Sequence, residues 1–180
     1  MGHGGPSWLI TLTNLRSLRL QFCQSPKILH ALRKLQPLET LELYVLRGID
    51  KVGPEFFKVE IKSNMITTRI SGTTGRDDDD GATMVNLFPK LKRILFNLPW
   101  CFEWAGILRW SVDSPVRIMP RLEYLKLQGC YPLKALPDFL RTTPLKHLII
   151  EDCPELDEHC REPSGKAWIQ IQHVPDIQIL

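Results

Sequence analysis

The sequence predicts an α/β fold built on a parallel β-sheet, and three of its features lead to this prediction. Five segments share one apolar spacing, helix-like segments lie between them, and prolines mark the segment borders. In each of the five, an apolar residue is followed by others at +3 and +5 and by a small or apolar residue at +8. The segments begin at Leu15, Leu38, Leu91, Leu122 and Leu145.

The spacing matches the leucine-rich-repeat template L-x-x-L-x-L-x-x-[N/C]. Positions +3 and +5 differ by the period of a strand, so both point into the core, while +2, +4 and +6 point outward. Strands stacked ~4.7–4.9 Å apart would bury a continuous apolar layer. We therefore predict a leucine-rich-repeat solenoid, with a curved parallel sheet on the concave face and short helices, 3₁₀ turns and loops on the convex face.

The segments between the strands supply the return of the chain. Lys27–Leu35 has the apolar spacing of a helix, and Leu133–Leu140 suits a short helix or a 3₁₀ turn. The 53 residues from Leu38 to Leu91 leave room for one more unit. That unit is either a further repeat over Phe56–Asn64 or a β-hairpin insertion through Val59–Ile70.

We expect three parts along the chain. Residues 1–11 form a flexible N-terminal segment or partial repeat, residues 12–156 the repeats with an acidic loop insertion at about 71–83, and residues 157–180 a C-terminal cap. The run from Arg76 to Gly81 lacks the spacing of a calcium loop, so we interpret it as a solvated loop. In the cap, Trp168 is the expected anchor, and Ile169–Ile171 and Ile177–Ile179 alternate as half-buried strands do.

Composition sets the broad class. The 180 residues carry a net charge of +3, which points neither to nucleic acid nor to an anionic membrane surface. No apolar run approaches the ~20 residues that a transmembrane helix needs, so we expect no insertion into a membrane. The sequence has five cysteines, no Asn-x-Ser/Thr site, and no basic and apolar pattern of a secretory signal at its start. These features favour a cytoplasmic setting in which the thiols are reduced.

Motifs for chemistry are missing from the sequence. Cys23, Cys130 and Cys153 occupy the +8 position, which predicts buried structural thiols rather than zinc ligands. The sequence has no Gly-x-Ser-x-Gly elbow, no His-Glu-x-x-His motif and no phosphate-binding loop. We therefore expect no catalytic residue, no metal and no cofactor. The aromatic cluster Pro99–Trp104 with Trp110 either fills a long repeat or forms an exposed partner site.

The end of the sequence carries a family resemblance. Cys153–Leu156 and Cys160–Ile177 closely resemble the C-terminal end of plant disease-resistance proteins of the nucleotide-binding, leucine-rich-repeat class. Val52–Phe56 and Phe88–Lys92 look like segments of the cereal, coiled-coil subclass. The resemblance implies recognition of pathogen effectors or of a guarded host protein, and inhibition of a nucleotide-binding domain. The sequence has no such domain, so we expect the C-terminal part of a receptor or a truncated relative.

The candidate site is the outward face of the predicted sheet. Mixed charges together with tyrosine, leucine and isoleucine suit a protein partner, and not a nucleic acid or a membrane. The candidate residues are Arg19, Gln21, Glu42, Tyr44, Arg93, Leu95, Tyr124, Lys126, Gln128, His147, Ile149 and Glu151. Two other functions would use the same surface: the substrate-recognition domain of an F-box-type ubiquitin ligase, or a stand-alone protein-binding scaffold.

Overall fold

A computed structural model describes most of the repeat segments and the C-terminal region. The described residues are 11–24, 27–32, 34–49, 52, 61–62, 65–66, 85–101, 103–104, 116–161 and 165–180. They form an α/β structure with a mostly parallel sheet and few helices. The acidic segment 71–83 and Trp110 lie outside the described residues.

The main sheet has six parallel strands. They are β1 (Ser17–Gln21), β2 (Thr40–Tyr44), β6 (Arg93–Asn97), β8 (Tyr124–Gln128), β9 (His147–Glu151) and β10 (Asp176–Ile179), and they lie side by side in that order. Every one of the five predicted repeat segments contains one of these strands.

Four shorter strands form two separate pairs outside the main sheet. β3 (Ile61–Lys62) pairs antiparallel with β4 (Met65–Ile66), and β5 (Val85–Leu87) pairs parallel with β7 (Val116–Ile118). The β3–β4 pair agrees with the hairpin alternative for this region, and β2 pairs directly with β6. The β5–β7 pair was not predicted, because three-residue strands leave little periodicity in a sequence.

Two apolar rows run across the main sheet and form its core. The +3 positions pair from Leu18 through Leu41 and onward to Ile177, and the +5 positions from Leu20 through Leu43 to Ile179. The rows are fully buried in the four inner strands. At the edges, Leu20 of β1 is still buried, whereas Leu18, Ile177 and Ile179 are only partly buried. The alternation in the sequence therefore gave both the register and the buried face correctly.

The backbone repeats a turn where most of these strands end. Phe22, Val45, Gly129 and Asp152, each at +7, have φ between 48° and 61°. This left-handed conformation is costly for residues other than glycine. It is maintained by hydrogen bonds that continue the ladder, such as Phe22 N–H to the carbonyl of Tyr44 at 3.0 Å. The spacing of apolar residues contains no signal for these turns.

The helices differ from the prediction in their extent and in one segment that was expected to be a strand. Helix α1 (Lys27–Leu32) begins where predicted but ends early, and the 3₁₀ helix Asp138–Thr142 lies at the end of its predicted segment. The strand predicted at Ile169–Ile171 is wrong, because these residues belong to helix α3 (Lys166–Ile171). Ala167, Gln170 and Ile171 are buried while Ile169 is exposed, which is helical spacing rather than alternation.

The C-terminal region returns the chain to the sheet. Helix α2 (Pro154–Arg161) follows β9, and α3 then leads into β10, which pairs in parallel with β9. Trp168 is partly buried against the core rather than fully enclosed. A cavity of about 590 Å³ is lined by Cys160, Arg161, Trp168, Ile177 and Ile179.

Candidate interaction surface

All twelve candidate residues lie in strands of the main sheet and point away from its buried rows. None is fully buried: Arg19, Gln21, Arg93 and His147 are exposed, and the others are half-buried. The structure therefore brings the candidates together on one face, which we call the outward face. Asp176 and Gln178 of β10 lie on the same face, because they pair with His147 and Ile149. The repeat spacing does not predict these two residues, since β10 lies outside the five repeats.

At the β1 end of this face, Arg19 forms an ion pair with the neighbouring strand. Its Nε lies 2.5 Å from Oε2 of Glu42, and its guanidinium carbon lies 5.6 Å from the centre of the Tyr44 ring. The hydrogen bond to Glu42 raises the pKa of Arg19 above its ordinary value. This part of the face is therefore polar and internally paired.

A second ion pair joins β8 to β9. Lys126 Nζ lies 2.6 Å from Oε2 of Glu151, and Gln128 donates a 2.9 Å hydrogen bond to Oε1 of the same carboxylate. The bond to Lys126 lowers the pKa of Glu151. Leu95 and Ile149 share the row of Lys126 and lie on either side of it. The centre of the face thus combines an ion pair with two apolar side chains.

A row of aromatic and charged side chains crosses the same strands at +2. Arg93 lies over the ring of Tyr124 at 4.1 Å, and the Tyr124 and His147 ring centres are 6.4 Å apart. His147 Nδ1 lies 2.9 Å from Oδ2 of Asp176, and this hydrogen bond lowers the pKa of Asp176. The charged and aromatic side chains of this row are therefore in contact across the strands before any partner binds.

Sequence reasoning overlooked a row of charges at +1, where the strands begin. We call this set the charge row; it alternates in sign along the sheet as Arg16, Glu39, Lys92, Glu123 and Lys146. Glu39 lies 3.6 Å from Arg16 and 3.0 Å from Lys92, and Glu123 lies 3.1 Å from Lys146. An alignment of the five repeats shows this alternation of charge. Only the structure shows that the strands carrying these charges are neighbours.

The cysteines at +8 do not share one environment. Cys130 and Cys153 are buried, and the N–H of Cys130 donates to Sγ of Cys153 at 3.3 Å. Cys23 is only half-buried, which corrects the prediction of burial, because β1 is at the edge of the sheet. Burial raises the pKa of Cys160 to about 12. No group of three side chains suited to a metal is found in the described ranges.

Two tryptophans of the aromatic cluster after β6 differ in burial. Trp104 is buried, with its ring edge-on to Phe96 at 5.4 Å and to Phe139 at 6.4 Å. Trp100 is half-exposed instead. Packing inside the long repeat therefore explains Trp104 and leaves Trp100 open to solvent.

Comparison with known proteins finds a partial similarity to plant resistance proteins. A stretch of 72 residues, 39% of this chain, is 38% identical to disease resistance proteins RPP8 and RPH8A of Arabidopsis thaliana. The same length is 35% identical to the probable disease resistance RPP8-like protein 4 of that plant. The matched stretch spans only 8% of the length of each relative. No family model and no solved structure matches the chain.

The relatives are disease resistance proteins by name, and the similarity is to one short region of them. In the described part of the chain, the helices are too short or too polar to span a lipid bilayer.

Proposed function

We propose that this chain is a leucine-rich-repeat solenoid and the protein-recognition part of an intracellular plant immune receptor of the nucleotide-binding class. The observation that carries the proposal is the similarity to disease resistance proteins in a chain whose parallel strands recur with the repeat spacing. On this proposal the chain acts in the cytoplasm as a binding region, without catalytic activity or a cofactor.

The outward face is the proposed recognition surface. It would bind a pathogen effector or a guarded host protein, and in a full-length receptor it would also contact the nucleotide-binding domain and keep it inactive. Mixed charges with interspersed tyrosine and aliphatic side chains support a protein partner. The side chains are already held by pairs across strands, so binding would immobilise few additional rotamers.

Lys126 and Tyr124 are the residues to alter, because they lie near the centre of the face. The 180-residue chain is screened in vitro against purified pathogen effectors and leaf proteins. We expect at least one specific complex, and we expect the double variant Tyr124→Ala/Lys126→Glu to weaken it by about tenfold or more.

The matched control is Arg121→Glu, an exposed charge reversal just before the repeat that contains β8. This variant should bind as tightly as the parent chain. An absence of any complex, or a complex equally tight in the double variant, would contradict recognition through the outward face.

A further inference from the structure

A second surface lies beside the outward face, where the strands end. It contains Phe22 after β1, Arg47 after β2, Trp100 after β6 and Tyr131 after β8. These four strands are consecutive neighbours in the sheet. Arg47, Trp100 and Tyr131 occupy the same +9 position of their repeats. We call these four residues the aromatic rim.

The rim concentrates the exposed aromatic surface of the described chain. Phe22 is 69% exposed, Trp100 50% and Tyr131 55%. Six large apolar side chains are exposed in the ranges that the structure describes, and these three are the aromatic ones. Clustered exposed apolar side chains with a polar border mark interaction sites. Tryptophan, tyrosine and arginine are also the residues most enriched among binding hot spots.

The backbone under the rim is fixed by hydrogen bonds. Arg47 N–H donates to the carbonyl of Cys23 at 2.9 Å, which ties the turn after β2 to the turn after β1. At the other end, a methyl group added at Gly129 would lie 3.9 Å from both Asn97 Nδ2 and the Tyr131 hydroxyl. The Asn97 amide and the Tyr131 hydroxyl therefore lie close together beside a position that has no side chain.

The charge of the rim is positive. Arg19 and Lys126 on the outward face each have a carboxylate partner, at 2.5 and 2.6 Å. For Arg47, none of the described acidic side chains lies within salt-bridge distance. A carboxylate on a partner would pair with this guanidinium through two parallel hydrogen bonds, which a lysine ammonium group cannot form.

We propose that the aromatic rim binds an extended segment of a protein partner in which an acidic residue is flanked by large apolar side chains. The acidic residue pairs with Arg47, and the apolar side chains pack on Phe22, Trp100 and Tyr131. Four strands at their usual spacing cover about 14 Å, the length of roughly four extended residues. The inference rests on the proposed function, because it assigns the partner's chemistry to a surface adjoining the outward face.

The test uses a phage library of random 12-residue peptides selected on the intact chain. We expect the selected peptides to combine aspartate or glutamate with leucine, phenylalanine or tryptophan. Synthetic peptides from the selection should bind about tenfold or more weakly to Trp100→Ala and to Tyr131→Ala. Selection on Arg47→Glu should instead enrich lysine or arginine, an effect that general loss of structure would not produce.

Arg121→Glu is again the matched control, and thermal melts establish that each variant is folded. The proposal is overturned if no peptide is enriched, if the peptides bind the rim variants normally, or if charge preference does not reverse with Arg47→Glu. The proposal is also overturned if no peptide binds and the rim variants dissociate an oligomer of this chain, because the rim would then be a self-association surface. If an effector binds in a way that depends on Tyr124 and Lys126 but no peptide is selected on the rim, the proposal for the aromatic rim is rejected and the proposed function stands.

Discussion

Trp100 and Trp104 are four residues apart but differ in their burial. Trp104 is 3% exposed and packs edge-on against Phe96 and Phe139, whereas Trp100 is 50% exposed. The Trp104 Nε1 is buried and has no hydrogen-bond partner in the part of the chain that is described. Its contribution to stability must therefore come from apolar burial and ring packing rather than from a hydrogen bond.

This contrast gives a prediction about single residues. Trp104→Ala should lower the free energy of unfolding by ~3–5 kcal/mol, as expected for a large buried aromatic residue. Trp100→Ala, the matched control, should change it by no more than ~0.5 kcal/mol. Urea unfolding followed by circular dichroism measures both values. Equal effects of the two substitutions would show that Trp100 is also part of the core.

Among the elements, the strand starts are joined by the charge row as well as by backbone bonds. The carbonyl of Arg16 accepts N–H bonds from Glu39 and Thr40, and the carbonyl of Glu39 accepts bonds from Lys92 and Arg93. The alternating signs place opposite charges on neighbouring strands. Leaving one strand out of the order, as in pairing β1 with β6, would bring like charges together, so the row disfavours that error.

Glu39 provides the test at this scale. The hydrogen bond from Lys92 lowers its pKa below 4.5, so its stabilising effect is present above pH 4.5 and is lost as the pH falls through its folded value. Glu39→Gln should lower the melting temperature at pH 7, and the difference should shrink below pH 4 and in 1 M salt. Glu158→Gln, an exposed control, should change little. A difference independent of both pH and salt would refute the electrostatic explanation.

For the whole molecule, burial changes from the centre of the sheet to its edges. Leu18 in β1 and Ile177 in β10 are partly exposed, whereas Leu41 and Leu125 in inner strands are almost fully buried. Each edge strand has a bonded neighbour on only one side in the described sheet. Local opening should therefore require least free energy at the two edges.

Hydrogen exchange measures this gradient directly. Amides in β1 and β10 should exchange faster than those in β6 and β8, and the protection should rise from each edge toward the centre. The comparison between β1 and β8 is the sharpest, because the strands have equal length and similar composition. Equal protection in these two strands would mean that another segment covers the β1 edge.

The sequence by itself determined the five predicted strands, their register and the residues of the outward face. These features depend on local spacing, because side chains two residues apart on a strand point the same way. Ile169–Ile171 shows the limit of this reasoning: three residues that alternate in polarity belong to a helix, since the burial of Ala167 and Ile171 decides the outcome.

Only the tertiary structure decided which side chains meet across the strands. Arg47 and Trp100 are 53 residues apart in the sequence, and they share the aromatic rim because β2 pairs directly with β6. His147 meets Asp176 because β10 pairs with β9. Local spacing determines where a side chain points, whereas the choice of neighbouring strand depends on how the whole chain packs.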